Sequence, residues 1–277
     1  MTFRPFADAD NGPSAAESSL VGQVAVVIGG TSGIGRALSY VLSQRGCRVY
    51  AASRSGGRSA STTQVDMDNR SQREPDVPMI TELTCDVANR SDVDRLFQNI
   101  VHSQGTLDIV VNSAGIGRGT HSRNAVAAAM HLEESEWQEV CDTNIRGMFL
   151  VARAAAGYMI PQGRGQIVNI SSARSARRGQ PFASAYSATK MAALAMVQAL
   201  GEELAPYGIR AWSMLPDAVA TDLIAKTNLA KRGAMNPIHL GHAIADLLSL
   251  PFDARWTEPL LAPFGSESLP HSTGVMS

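Results

Sequence analysis

Apolar positions along the chain fall into short β-branched runs separated by longer stretches of helical spacing. Val24-Ala-Val-Val-Ile28 is apolar throughout, the pattern of a strand buried on both faces. Runs of the same kind at 48–52, 79–84, 107–112, 166–170 and 210–214 predict five more strands, and Glu258-Pro-Leu-Leu-Ala262 offers a last one. Between them, the periodicity predicts helices over 36–45, 91–104, 134–159, 183–205 and 239–250, with Gly46 placed to end the first. Strands alternating with helices predict an α/β fold, a doubly wound parallel sheet in a single domain over 20–277.

Two stretches break the alternation. Residues 55–78 are rich in Ser, Arg and Asp and lack helical periodicity, so they predict a mobile surface insert; an interaction arm is the alternative reading. Residues 1–19 carry Asp8, Asp10 and Glu17 and no apolar core of the secretory type, and predict a flexible tail. Lys and Arg together number 24 against 25 Asp and Glu, so no net field favours nucleic acid or an anionic membrane surface. No apolar stretch approaches the roughly 18 residues that span a bilayer. Cys47, Cys85 and Cys141 have no metal-ligand spacing and read as reduced core thiols of a cytoplasmic protein. His239 and His242 share a helix face without a third ligand nearby, so no metal is expected.

The chemistry concentrates in two places. Directly after the first strand comes Gly29-Gly30-Thr31-Ser32-Gly33-Ile34-Gly35, and then a helix. A strand, a glycine turn and a helix N-terminus form the context in which glycines let backbone approach a pyrophosphate; a plain tight turn is the bland alternative. Further on, Tyr186 and Lys190 stand at i and i+4 of a predicted helix, on one face. An ammonium beside a phenol favours the phenolate and predicts a lowered Tyr186 pKa, suited to general acid/base work. Taken alone, that pair also fits any solvated helix. Ser171 and Ser172, ending an apolar run upstream, could hold a substrate oxygen beside the phenol.

With these stretches the chain resembles the short-chain dehydrogenase/reductase family, in its compact single-domain branch, over about residues 20–250. The resemblance implies a Rossmann-type sheet and a Ser-Tyr-Lys-Asn tetrad of Ser172, Tyr186, Lys190 and Asn144, the last distorting its helix and holding a water that links Lys190 to solvent. It implies a cofactor site of Gly29, Thr31, Ser32, Gly33, Ile34 and Gly35, with Asp86 and Val87 at the adenine. Asn112, Ala114 and Gly115 in the Asn112-Ser-Ala-Gly115 stretch, Tyr186 and Lys190, and Pro216, Val219 and Thr221 would complete it. Ser53 stands where NAD-using members carry an aspartate, and Arg54 follows with a planar fork suited to a 2′-phosphate. NADP(H) is therefore expected over NAD(H), with Arg36 and Arg58 adding positive field; Arg54 as a mere loop residue is the alternative.

Several positions depart from the family pattern. Ser172 lies fourteen residues before Tyr186, one more than usual, and Ser171 fits worse still. Asp217 follows Pro216 where the family has glycine, which puts a side chain near the nicotinamide. The family's C-terminal Val-Asp-Gly-Gly type signature is absent. Arg174, Arg177 and Arg178 could meet an anionic substrate or form a solvated loop, and 217–236 is the natural substrate lid. The expected activity is interconversion of a ketone or aldehyde with an alcohol. A dehydratase or epimerase on the same fold, and a cofactor-binding regulator with little turnover, are the alternatives. Apolar residues on more than one face of 134–159 and 183–205 predict that these helices pair with their copies, as in relatives, giving a homodimer or homotetramer.

Overall fold

The computed structural model describes residues 20–56, 80–117, 129–177, 179–225 and 233–263. The predicted tail, all but the start of the 55–78 insert, Arg58, Arg178 and the middle of the 217–236 lid lie outside the described residues. Seven parallel strands form one sheet in the order β3-β2-β1-β4-β5-β6-β7. They are β1 (Val24–Ile28), β2 (Arg48–Ser53), β3 (Ile80–Thr84), β4 (Ile109–Asn112), β5 (Gly165–Ile170), β6 (Ile209–Pro216) and β7 (Leu260–Leu261). The last has two residues, which is why its pattern was faint, yet it pairs with Leu215 and Pro216.

Alternation along each strand divides the apolar side chains between two layers. Val24, Val26 and Ile28 of β1 face one layer with Val110 and Ile167. That layer is covered by α2 (Arg90–Gln104) and α4 (Gly147–Gln162) and by α5 (Ser184–Leu204), through Phe97, Met148, Val151 and Val197. Ala25 and Val27 face the other with Ile109, Val111, Val168 and Trp212. There α1 (Gly33–Gln44) and α7 (Pro237–Leu248) supply Leu38, Val41, Leu42, Leu240 and Ile244. Helices on both faces explain why β1, β4 and β5 are buried at every position.

The stretch predicted as one helix over 134–159 is three segments. Here α3 (Glu134–Cys141) runs into a π-helical turn, Asp142–Arg146, before α4 begins, with the Gly147 amide donating to the Asp142 carbonyl. Pro161 lies inside the last turn of α4, and Gly163 closes the helix in the left-handed region. A short α6 (Asp222–Ala225) follows β6. The strand order reverses between β1 and β4, so the crevice at their carboxyl ends is the topological switch point of a Rossmann-type fold.

Candidate active site

The glycine turn lies at the carboxyl end of β1 and shows why glycine is required there. A Cβ on Gly35 would stand 2.2 Å from the Gly29 carbonyl oxygen, and Gly29 itself has φ +73° with its Cβ position 2.8 Å from the Ala114 amide nitrogen. The turn therefore folds back on itself and against the end of β4. Ser32 caps α1 in an extended conformation without a side-chain hydrogen bond, and the first turn of α1 carries no acid. A helix N-terminus without its own anionic cap is suited to a phosphate, and the backbone brought this close by glycine makes the residues present fit a dinucleotide.

Around that turn stand the other residues expected at a cofactor. The Asp86 carboxylate accepts from the Ala88 amide at 3.0 Å, and the buried Val87 packs against Gly147 at the end of the π turn. Asn112 ends β4 in register with Ile28 and Asn169, and its side-chain amide donates to the Met148 sulfur at 3.1 Å. Thr221 reaches the glycine turn, its Cγ2 lying 3.3 Å from a Cβ placed on Gly33. Pro216 and Val219 are buried beneath it, and the Val219 region is bridged to Met235. Leu223 of α6 approaches Gly117 in the loop after β4.

Ser53 and Arg54 end β2 at the same rim. The Ser53 hydroxyl is 3.3 Å from that of Ser55. Arg54, about half exposed, pairs with Glu139 of α3 at 3.7 Å, a partner that no spacing along the chain could reveal.

The four residues expected as a tetrad come together near the ends of β4, β5 and β6. Asn144 sits in the π turn: its carbonyl oxygen accepts from the Ile116 amide at 2.9 Å, and its amide donates to the Ile116 carbonyl at 2.9 Å and to the Thr189 hydroxyl at 3.0 Å. The hydroxyl of Thr189 in turn donates to the Tyr186 carbonyl. A π turn gives up regular i to i−4 bonding, and these three side-chain bonds are the visible compensation. Thr189 was not among the expected site residues, although it stands beside Lys190. The buried Lys190 ammonium donates to the Ile170 carbonyl at 2.9 Å and lies 5.6 Å from the centroid of the Tyr186 ring. Gly115 stands over both, since a Cβ there would be 3.4 Å from Asn144 Oδ1 and from Lys190 Nζ.

Of the two serines, Ser172 meets Tyr186. Its hydroxyl is hydrogen-bonded to the phenol and also accepts from the Ser175 amide at 3.3 Å. Ser171 is buried and turns to the Lys190 carbonyl. The direction of the Tyr186 pKa differs from the sequence expectation. Burial pushes the phenol up to about 12, and the Ser172 hydrogen bond opposes this only in part. Burial likewise brings Lys190 down to about 8. Among the protein's own groups, loss of water outweighs the attraction that the i, i+4 spacing suggested.

The remaining arginines have protein partners. Arg174 donates to both oxygens of Asp217 at 2.7 and 3.4 Å, so the carboxylate expected beside the nicotinamide is turned to an ion pair. Arg177 pairs with Glu258 at 3.4 Å. Neither stands as an isolated charge awaiting an anionic substrate.

A model described as short chain dehydrogenase matches residues 23–232. The chain is similar to an uncharacterized oxidoreductase of Staphylococcus haemolyticus, 30% identical over 246 residues that cover 89% of this chain and 99% of the relative. It is also similar to an uncharacterized oxidoreductase of Staphylococcus aureus strain USA300, 32% identical over 244 residues, 88% of this chain and 98% of the relative. Among solved structures it resembles the 3-ketoacyl-(acyl-carrier-protein) reductase from Brucella melitensis complexed with NADH. That likeness has a TM-score of 0.76 at 26% identity and covers 91% of this chain and all of that one. A dehydrogenase/reductase from Sinorhizobium meliloti 1021 shares the fold, with a TM-score of 0.71 at 24% identity, 90% of this chain and 96% of that one.

Proposed function

The chain belongs to the short-chain dehydrogenase family, whose members are oxidoreductases, and we propose that it is an NADP(H)-dependent enzyme interconverting a ketone or aldehyde with an alcohol. The observation that carries this reading is the convergence of Ser172, Tyr186, Lys190 and Asn144 beside Gly115, at the carboxyl ends of the strands. The Brucella reductase, whose name specifies a ketoacyl group, supports carbonyl reduction over dehydration or epimerisation.

When bound, the nicotinamide cofactor supplies or accepts the hydride. Gly29, Thr31, Ser32, Gly33, Ile34 and Gly35 would hold its pyrophosphate, with Asp86 and Val87 at the adenine end and Asn112, Ala114, Gly115, Pro216, Val219 and Thr221 toward the ring. Tyr186 gives its proton to the substrate oxygen in reduction, and a neutral phenol held at about 12 is in the correct form for that direction at neutral pH. Ser172, already bonded to the phenol, holds the same oxygen and stabilises charge developing on it. Lys190 would hold the nicotinamide ribose when the cofactor is bound, and its ammonium supports the phenolate left on Tyr186 after transfer. Asn144 fixes the helix that presents both Tyr186 and Lys190, through Thr189.

Support for NADP(H) comes from the small Ser53 hydroxyl and the half-exposed Arg54, whose pairing with Glu139 at 3.7 Å is loose enough to exchange for a phosphate. Free Cys47, Cys85 and Cys141, all with raised thiol pKa values, suit a reducing cytoplasmic setting. Exposed Phe149, Gly157, Ala192, Ala195 and Ala199 on α4 and α5 suit pairing with a second copy.

The test is NADPH consumption with a panel of ketones, diketones and oxoacyl thioesters, comparing the wild type with Tyr186→Phe. Turnover of at least one carbonyl and a loss of about 100-fold or more in the variant are expected. A phenylalanine enzyme that keeps a tenth of the rate would overturn the assignment.

A further inference from the structure

The two departures from the family pattern nearest the reacting centre meet in space. Arg174 lies in the lengthened loop between Ser172 and Tyr186, and Asp217 replaces the glycine after Pro216. The Arg174 guanidinium donates to both Asp217 oxygens, at 2.7 and 3.4 Å, in the fork-to-carboxylate arrangement. The Asp217 side chain is 2% exposed and that of Arg174 23%.

Each partner is anchored on its own side. The Asp217 amide donates to the Leu261 carbonyl at 2.8 Å, extending β6 along β7. On the Arg174 side, the Ala173 amide donates to the Pro216 carbonyl at 2.8 Å, and Ala176 packs with Leu194 and Leu215. Ser172 is thus flanked by backbone bonds to β6 from Ser171 and Ala173, and the ion pair is a side-chain tie just beyond them. A glycine at 217 could not make it. We infer that Arg174 and Asp217 are a positioning pair that fixes the Ser172 loop against the Pro216 segment and so aligns the serine hydroxyl with Tyr186.

This inference rests on the proposed carbonyl chemistry, and its consequences follow from the chain of contacts. A loosened loop shifts Ser172, which lowers kcat while leaving the glycine turn and cofactor affinity unchanged. It also weakens the hydrogen bond that opposes the rise of the Tyr186 pKa, so the acid limb of alcohol oxidation moves to higher pH. The buried Asp217 carboxylate demands its partner, so the losses from removing each charge are less than additive.

The experiment compares wild type, Arg174→Met, Asp217→Asn, the double variant and Arg174→Lys in the full chain. Kinetics with NADPH and a ketone that the wild type reduces, the pH profile of alcohol oxidation with NADP+, cofactor affinity by fluorescence and melting temperature are measured for each. Each neutral single variant should lose tenfold or more in kcat with cofactor affinity within threefold of wild type, and its acid limb should rise. Arg174→Lys should recover part of the loss. In melting temperature, the double variant should fall less than the sum of the singles. Singles that add in melting temperature, or that match wild type in kcat and pH profile, overturn the inference. A wild type that reduces no carbonyl defeats the proposed function, and the melting cycle with cofactor then decides the pairing by itself.

Discussion

Replacing Lys190 with methionine should change how stability depends on pH, by an amount that the structure sets. Burial lowers the Lys190 pKa from 10.5 to about 8, so between those values the unfolded chain carries a proton that the folded chain has released. Stability gained from this group therefore rises with pH across that window, at about 1.4 kcal/mol per pH unit. Below pH 8 the folded protein bears a buried ammonium, compensated among the described residues by the 2.9 Å bond to the Ile170 carbonyl and by the neighbouring phenol ring. Cys47 and Cys85, raised from 9.0 to about 12, and Tyr186, raised from 10.0 to about 12, have the opposite sign. The unfolded state loses their protons first, so they lower stability from about pH 9 upward. Those groups are present in both proteins and cancel in the difference. Urea titrations at pH 7, 8 and 9 give that difference, provided that the slope against urea is unchanged. From pH 7 to 9 the wild type should gain about 1.4 kcal/mol relative to Lys190→Met, a shift of about one tenfold step in the folding equilibrium. Parallel stability curves would mean that the ammonium is not desolvated, and the placement of Lys190 would be wrong.

Other substitutions test separate parts of the site. Gly35→Ala should weaken NADPH binding at least tenfold by fluorescence titration, because its methyl would stand 2.2 Å from a backbone oxygen and the glycine turn must open. Asn144→Ala removes three hydrogen bonds and should cost about 2–3 kcal/mol in urea unfolding. Arg54→Ala should shrink the NADPH over NADH preference by about tenfold or more, since charge-assisted bonds contribute about 1.5–3 kcal/mol. Glu139→Gln should move the preference the other way, by about two- to fivefold for an exposed pair; equal wild-type affinities for the two cofactors would sink the reading of Ser53 and Arg54. Light scattering after size exclusion should give at least twice the 29.4 kDa chain mass, and a monomer would refute pairing through α4 and α5.

The centre of the sheet was legible because β1, β4 and β5 are buried on both faces, so each apolar run carried its own signal, as in Val24–Ile28. The glycine turn and the Tyr186–Lys190 face were legible because their geometry is local: one turn and one helix fix it. What escaped the sequence depends on partners from other elements. The residues of Asp142–Arg146 look helical by themselves; the family resemblance alone implied that Asn144 distorts its helix, as the π turn bears out, and the partners Ile116 and Thr189 that hold it come from elsewhere in the fold. The Tyr186 pKa was misjudged in direction because the i, i+4 spacing reports a neighbouring charge and says nothing of the water excluded around it.

Arg174 and Asp217 show the same limit from the side of function. Read along the chain, one is a loop cation open to an anionic substrate and the other a carboxylate intruding beside the nicotinamide. Forty-three residues apart, they neutralise one another, and neither reading survives the contact. A carboxylate with its side chain 2% exposed needs a partner, and a guanidinium committed to both of its oxygens is not an idle substrate clamp. Deviation at 217 is therefore to be judged with deviation in the loop before Tyr186. An Asp217→Gly change made to restore the family residue should damage the protein unless Arg174 is replaced with it.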